Sequence, residues 1–289
     1  MFKDNPMGDK KMDNITVKQL DENIYVYRGL IPNNKKMVEL FKQSELNKGT
    51  SFLFDDWQPW SRFGHYVYTI GHFLNENDPN INDPLYLDEA EALKTIYNAF
   101  DYATKTFMSD HNLKIGDDWI IMGPSISKYT HDNEPNSDKD ALEMMHHTDY
   151  KALESDSPGA QFALTCTMYL NDDYEDGGIT FLTGNKTVID YKPEAGDVLV
   201  FPSGHPDLLS QEGRYLHGVK RIRNVDKYLI RCFYQIPFDG TKEWHENQAK
   251  FGVEEWARME KERIEKGERY HDFQKSNIKK SVDESTVTM

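Results

Sequence analysis

Between residues 118 and 238 the chain is a series of short apolar segments separated by glycine, asparagine, aspartate and proline. Apolar runs of this length and spacing indicate β-strands joined by turns, and so many in succession indicate antiparallel pairing. The segments are WIIMGPSI, FALTCTMYL, GITFL, TVIDY, DVLVF, GVKRI and KYLIRCFYQI. Any fold for this chain must therefore accommodate these strands in a β-sandwich or barrel.

Two helices are predicted before the strands. The first lies within residues 32–46, where three apolar residues at helical spacing follow an Asn-rich cap region: Met37, Leu40 and Phe41. The second spans residues 87–109, begins at a capping-box-like Asp88 and Glu91, and carries an apolar stripe of Ile96, Phe100, Ala103 and Phe107. Helices followed by strands indicate an α+β fold in which the helices buttress one side of the β-structure.

The composition excludes several classes of protein. The 289 residues include 34 Lys and Arg against 49 Asp and Glu, for a formal net charge of −15. This charge disfavours a general nucleic-acid binder, because it repels the phosphate backbone. No apolar stretch approaches the roughly 20 residues that span a bilayer, and the polar start does not resemble a signal peptide. We therefore expect a cytoplasmic protein without a membrane partner, in which Cys166 and Cys232 are buried small hydrophobic residues.

The sequence HHTD at 146–149 is the first candidate for a functional site. Alternate residues of a strand point to the same side, so His147 and Asp149 would present an imidazole and a carboxylate in one direction. A second histidine would complete a two-His-one-carboxylate triad, which suits non-haem Fe(II) because it leaves positions open. His217, at the start of a later strand, fits best. The spacing alone is a weak signal, and a strand-edge histidine beside an aspartate in a turn is the alternative.

Lys227 begins a strand ten residues after His217. Burying a lysine is costly unless it meets an anion. A lysine that points into a barrel holding a metal would therefore suit a dicarboxylate, with one end on the metal and the other on the ammonium. Arg231, on the same face of the predicted strand, is the rival for this role, and a surface position for Lys227 is a further alternative.

Taken together, these segments resemble the prolyl 4-hydroxylase-like branch of the Fe(II)/2-oxoglutarate oxygenases. The resemblance extends from Tyr129 to Tyr234 and depends on the order and spacing of five motifs. They are HTD at 147–149, TCTMYLND at 165–172, EDGGITFL at 175–182, PEAGDVLVFPS at 193–203, and LHGV followed by KY at 216–228. Each motif alone is unspecific, but the set is characteristic of the family.

The resemblance implies a double-stranded β-helix (jelly-roll or cupin-like) fold with Fe(II), 2-oxoglutarate and O2 as cofactor and cosubstrates, and ascorbate as an optional reductant. By position it makes His147, Asp149 and His217 the iron ligands and catalytic residues. It makes Lys227 the partner of the distal carboxylate of 2-oxoglutarate.

Two tyrosines are further cosubstrate-binding residues by the same resemblance. Tyr169 resembles the tyrosine that hydrogen-bonds the distal carboxylate, and Tyr129 resembles the tyrosine on the strand before the HxD motif that faces the cosubstrate. Core packing would also explain both, because a buried tyrosine commonly needs only a partner for its hydroxyl.

The expected domain organisation follows from these assignments. We expect a flexible N-terminal arm at 1–15, a double-stranded β-helix oxygenase domain at 16–240 and a charged helical tail at 241–289. Within the domain, helical support would span 33–112 and the catalytic core 118–238. The tail is predicted to be helical because opposite charges recur at i,i+4, and it could form a homodimer.

The expected activity is hydroxylation of an unactivated carbon, with a prolyl residue in a peptide or protein as the substrate. A free amino acid or another small metabolite is the alternative substrate. The polar insert at 131–144 and the loop at 203–215 are expected to shape this choice. Other classes are an inactive β-barrel binding or structural protein, a nucleic-acid oxygenase and a zinc hydrolase. The intact triad with Lys227 argues against an inactive protein, and the charge of −15 argues against a nucleic-acid oxygenase. The GG-x-T-x-F strand argues against a zinc hydrolase.

Overall fold

The computed structural model describes residues 15–32, 34–47, 58–59, 65–69, 83–112, 120–121, 124–132, 141–147, 149, 160–183, 186–203 and 215–237, and residues 255, 258 and 262. The elements in chain order are β1 Thr16–Asp21, β2 Ile24–Arg28, α1 Asn34–Leu46, β3 Gln58–Pro59, β4 His65–Thr69, α2 Pro84–Asp110, β5 Ile120–Ile121, β6 Ser125–Tyr129, β7 Leu142–His147, β8 Ala160–Tyr169, β9 Glu175–Asp176, β10 Ile179–Thr183, β11 Lys186–Tyr191, β12 Val198–Pro202, β13 Leu216–Lys220, β14 Ile222–Arg223 and β15 Lys227–Pro237.

The strands form two main antiparallel sheets. The major sheet has the order β1-β2-β12-β8-β15-β6-β4-β3, with β5 also paired to β15. The minor sheet has the order β11-β10-β13-β7, and β9 and β14 form a separate ribbon. Many neighbouring strands are far apart in sequence, as in a β-sandwich. The predicted antiparallel, β-rich core is therefore confirmed, and it is consistent with a double-stranded β-helix.

The major sheet separates two hydrophobic clusters, because successive side chains of a strand point to opposite faces. The outer face packs with the helices into a cluster that includes Met168, Cys166, Cys232, Ile230 and, from α2, Ile96, Phe100, Ala103 and Phe107. The inner face contributes Tyr169, Leu199, Phe201 and Leu229 to a second cluster with Phe181 and Val219 of the minor sheet. Both cysteines are free and buried, as predicted. The space between the two sheets is therefore where side chains from distant segments meet.

The second helix is longer at its N-terminus than predicted. It begins at Pro84, and Asp83 caps it by accepting a hydrogen bond from the Leu85 N–H at 2.8 Å. Proline at the first position of a helix and aspartate at the N-cap are both favourable. The predicted capping box of Asp88 and Glu91 is wrong, since both residues lie within the helix.

Two other predicted boundaries are also corrected. The segment 33–112, expected to be helical support, contains β3 and β4, and β4 pairs with β6 in the major sheet. Residues 142–144, assigned to the polar insert 131–144, are the first residues of β7. These segments lack the apolar alternation that marks a strand in a sequence, and they are strands because they pair with neighbouring strands of the sheets.

Several sequence predictions fall outside the described residues. Most of the arm at 1–15, the middle of the insert at 133–140 and the loop at 204–214 are among them. In the tail, the three described residues are helical, and Arg258 lies 2.5 Å from Glu255. Among the described helices, none has both the length and the apolar character required to cross a membrane.

Candidate metal and cosubstrate site

The pairing of β7 with β13 brings two of the predicted metal ligands together. Its register places His147 directly opposite His217, and their ring centroids lie 4.5 Å apart. The sequence predicted Asp149 on the same strand as His147, but β7 ends at His147 and Asp149 lies just beyond it. Its carboxylate nevertheless reaches both rings. Oδ1 lies 3.5 Å from His147 Nε2, and Oδ2 lies 3.3 Å from His217 Nε2.

These three residues form a cluster with the dimensions of a metal site. One ligand atom from each lies within 4.8 Å of the other two. Ligand atoms around a single ion must each approach it to about 2.0–2.2 Å, which requires them to be this close together. Two imidazoles and one carboxylate on one side of an ion are the donor set preferred by non-haem Fe(II).

Both imidazoles are oriented by the backbone. His147 Nδ1 donates to the Met145 carbonyl at 2.8 Å, and His217 Nδ1 donates to the Tyr215 carbonyl at 3.0 Å. A proton on Nδ1 leaves the lone pair on Nε2, the nitrogen that faces Asp149. His147 Nε2 is buried and has no hydrogen-bond partner among the described residues. A buried nitrogen without a partner is unfavourable unless a ligand satisfies it, so the residues fit a metal ion.

Asp149 is held in the charged form. Its side chain is buried, and the Thr165 hydroxyl donates to Oδ2 at 2.8 Å. Burial opposes ionisation, but the nearby rings of His217 and His147 and the charge of Arg231 keep the pKa of the Asp149 carboxyl well below its usual range. The site therefore presents a carboxylate and not a carboxylic acid at neutral pH.

A buried lysine lies in the same space between the sheets. Lys227 is fully buried, and its ammonium lies 6.0, 5.0 and 5.2 Å from the ring centroids of Tyr129, Tyr169 and Tyr174. It donates to the Gly177 carbonyl at 2.5 Å. We call Lys227 and these three tyrosines the lysine cage. Burial, reinforced by Lys192, lowers the pKa of Lys227 to about 7, and no carboxylate of the described residues offsets this effect.

The register of β15 explains how the predicted tyrosines reach the cage. Lys227 is opposite Tyr129 on β6, and Leu229 is opposite Tyr169 on β8. Both tyrosines are buried, at 4% and 2% exposure. The structure therefore brings Lys227, Tyr129 and Tyr169 together, and their role in binding a cosubstrate stays a prediction.

The sequence did not single out Tyr174, which lies outside the strands. The signal that could have identified it is an aromatic residue directly before the EDGGITFL segment.

Arg231 lies at the metal side of this space. Its charge lowers the pKa of Asp149, and it counteracts the burial that raises the pKa of Tyr129. Four residues along a strand correspond to about 13 Å, so Lys227 and Arg231 mark separate positions on one face of β15. Arg231 therefore lies nearer the triad, and Lys227 lies in the cage.

Comparison with known families agrees with this geometry. Residues 137–235 match the family model for the 2OG-Fe(II) oxygenase superfamily. The matched segment contains all three residues of the triad together with Lys227, Tyr169 and Tyr174. Tyr129 precedes it and joins the site through the pairing of β6 with β15.

Solved structures similar to this chain include three prolyl hydroxylases. The viral collagen prolyl hydroxylase of Paramecium Bursaria Chlorella virus-1, in its 2OG complex, has 14% identity and a TM-score of 0.47 over 74% of this chain and 96% of that chain. A prolyl-4-hydroxylase of Pseudomonas putida has 14% identity and a TM-score of 0.45 over 74% and 92%.

The third is a prolyl hydroxylase of Trichoplax adhaerens in complex with a hypoxia inducible factor peptide fragment. It has 17% identity and a TM-score of 0.43 over 73% of this chain and 83% of that chain. By sequence, no curated protein matches this chain significantly.

Proposed function

We propose that this chain is an Fe(II)- and 2-oxoglutarate-dependent oxygenase that holds iron(II) with His147, Asp149 and His217 and binds 2-oxoglutarate between this triad and Lys227. One observation carries the proposal. A cluster of three metal-binding donors lies between the same two sheets as a buried lysine that lacks an anionic partner among the described residues. A dicarboxylate that chelates a metal with one end and meets the ammonium with the other would satisfy both.

The chemistry supplied by bound iron(II) is the coupled oxidation of 2-oxoglutarate and substrate by dioxygen, which yields succinate, carbon dioxide and a hydroxylated carbon. The chain's own residues orient the metal ligands and shield them from water. Backbone carbonyls fix both imidazoles, and the Thr165 hydroxyl fixes Asp149. Phe201 packs edge-on against His217, with ring centroids 4.8 Å apart, and helps to exclude water from the ligands.

For the distal carboxylate, the contacts favour Lys227 over Arg231. Lys227 is fully buried in the cage, whereas Arg231 is partly exposed and acts electrostatically on Asp149 and His147. A carboxylate bound to Lys227 is therefore separated from the triad by the part of β15 between Lys227 and Arg231. This separation leaves room for the 2-oxo acid end to approach the metal.

Tyr129 and Tyr169 are proposed to assist Lys227. Burial raises the pKa of both hydroxyls, so each is protonated at neutral pH and is able to donate to a carboxylate. A hydrogen bond donated to a carboxylate is stronger than a hydrogen bond between two neutral groups.

The proposed substrate is a prolyl residue of a peptide or protein, and the proposed product is a hydroxyprolyl residue. Support comes from the order of motifs between residues 129 and 234, which resembles the prolyl 4-hydroxylase-like branch. A free amino acid or small metabolite is the alternative. Mass spectrometry of proline-containing peptides, incubated with the enzyme, iron(II) and 2-oxoglutarate, would distinguish them by the gain of one oxygen atom on proline.

The domain is proposed to extend beyond the matched segment, over residues 16–240, with the catalytic core at 118–238. The pairing of β2 with β12 supports this extent, because it joins the N-terminal hairpin to the core strands. A homodimer through the tail at 241–289 and a cytoplasmic location stay predictions from the sequence.

Succinate formation from 2-oxoglutarate tests the function directly. We expect it to require iron(II), to be lost in His147→Ala and to be largely retained in His146→Ala. His146 is the matched control because its Nε2 lies 2.9 Å from the Thr180 hydroxyl and does not face Asp149. Zinc-dependent hydrolysis without any succinate would instead favour a hydrolase.

A further inference from the structure

Tyr174 has a buried hydroxyl that the fold leaves unsatisfied. The residue follows β8, and its side chain is 1% exposed. Its hydroxyl has no hydrogen-bond partner among the described residues. Buried tyrosine hydroxyls normally find a partner, so an exception requires an explanation.

The ring of Tyr174 is fixed in place by its neighbours. A Cβ added at Gly177 would lie 2.8 Å from Cε2 and 2.9 Å from Cδ2 of the ring, so only glycine permits this contact. Gly177 also has a φ of +63°, which a residue with a side chain adopts reluctantly. Lys192 donates to the Tyr174 carbonyl at 2.8 Å. The hydroxyl is therefore held on a rigid support.

The fixed ring borders the lysine cage. Its centroid lies 5.2 Å from the Lys227 ammonium, which itself bonds the Gly177 carbonyl beneath the ring. After burial, Tyr174 is the group that raises the pKa of Tyr169 most, ahead of Tyr129. The ring centroid of Tyr169 lies 5.0 Å from the same ammonium, so both tyrosines border Lys227.

We infer that Tyr174 is a further cosubstrate-binding residue, whose hydroxyl donates a hydrogen bond to the distal carboxylate of 2-oxoglutarate beside Lys227. The inference rests on the proposed function, since it requires that 2-oxoglutarate occupies the cage. It would make the cage a site of one ammonium and three hydroxyls. Because these donors act only on the distal carboxylate, they would select dicarboxylic 2-oxo acids over those with a single carboxylate.

The competing role for Tyr174 is aromatic contact with the ammonium alone. Tyr174→Phe separates the two roles, because it keeps the ring and removes only the hydroxyl. Tyr27→Phe is the matched control. Tyr27 is equally buried, and its hydroxyl also has no hydrogen-bond partner among the described residues. It packs in the hydrophobic cluster between the outer face of the major sheet and the helices.

The test is calorimetric titration of the full chain, loaded with redox-inactive Mn(II), with 2-oxoglutarate. We expect Tyr174→Phe to raise Kd by about tenfold, the scale of a hydrogen bond to a charged group, and Tyr27→Phe to leave it unchanged. Binding of 2-oxobutyrate, which lacks the distal carboxylate, should be equal in wild type and Tyr174→Phe. Without ligand, Tyr174→Phe should unfold at the same temperature as wild type or higher, because no hydrogen bond is lost.

Each contrary result has a distinct meaning. An unchanged Kd for 2-oxoglutarate in Tyr174→Phe would overturn the inference and leave the proposed function standing. Equal weakening of 2-oxobutyrate binding, or a lower unfolding temperature without ligand, would overturn it in favour of a structural role. If wild type binds no 2-oxoglutarate while it binds Mn(II), the proposed function fails and the inference fails with it.

Discussion

At the scale of single residues, Lys227 couples the proposed cosubstrate pocket to pH. Its pKa is lowered to about 7, so the empty pocket loses a proton as the pH rises through neutrality. A bound carboxylate favours the ammonium, and binding above about pH 7 must therefore take up a proton. The tyrosines that face Lys227 have raised pKa values and stay protonated there.

We expect the Kd of the Mn(II)-loaded protein for 2-oxoglutarate to be constant below about pH 7 and to rise by up to about tenfold per pH unit above it. Calorimetry in buffers with different ionisation enthalpies would measure the proton uptake. A Kd that is constant from about pH 6 to 9 would show that Lys227 does not contact the ligand.

Replacing Lys227 tests its role against that of Arg231. Lys227→Met should weaken 2-oxoglutarate binding by about 100-fold, because it removes one partner of a buried ion pair. The same change should raise the unfolding temperature of the ligand-free protein, since a buried ammonium without an anion is costly. A larger loss in Arg231→Met than in Lys227→Met would reverse the assignment.

At the scale of elements, the metal site depends on a contact between the two sheets. Thr165 on β8 of the major sheet donates to Asp149, which follows β7 of the minor sheet. Thr165→Val keeps the shape of the side chain and removes this hydrogen bond. We expect metal affinity to fall by about 10- to 100-fold, the usual effect of removing a residue that orients a ligand.

Chelator competition would measure this loss. Thr167→Val is the matched control, because Thr167 lies on the same face of β8 and is similarly buried. Equal effects of the two substitutions would show that the loss comes from the strand and not from the Asp149 contact.

The same elements show what the sequence could and could not predict. The core strands were predictable because their apolar runs are long and separated by turn residues. The strand β1 was not, because its first four residues are exposed and polar or isolated, so no apolar alternation marks it. The HxD spacing predicted that His147 and Asp149 lie close together, which they do although Asp149 lies beyond the end of β7. The ligands meet through the register of β7 with β13, and long-range pairing of this kind is not encoded in local spacing.

At the scale of the whole molecule, the site is assembled from segments that are distant in sequence. His147 and His217 come from the minor sheet, and Asp149 directly follows it. Lys227, Tyr129 and Tyr169 come from the major sheet. The sequence predicted these six residues because their motifs have a recognisable order. It did not indicate Tyr174, because a turn residue contributes to a pocket only through the packing of the complete fold.

The central claim is that iron(II) and 2-oxoglutarate bind together between the sheets, at opposite ends of one enclosed space. The most direct measurement is an anaerobic titration of the metal-free protein with Fe(II) and then 2-oxoglutarate, followed by visible absorbance. We predict a weak charge-transfer band that is absent in His147→Ala and requires far more 2-oxoglutarate in Lys227→Ala. If wild type develops no band while it binds zinc tightly, the oxygenase assignment of this site is contradicted.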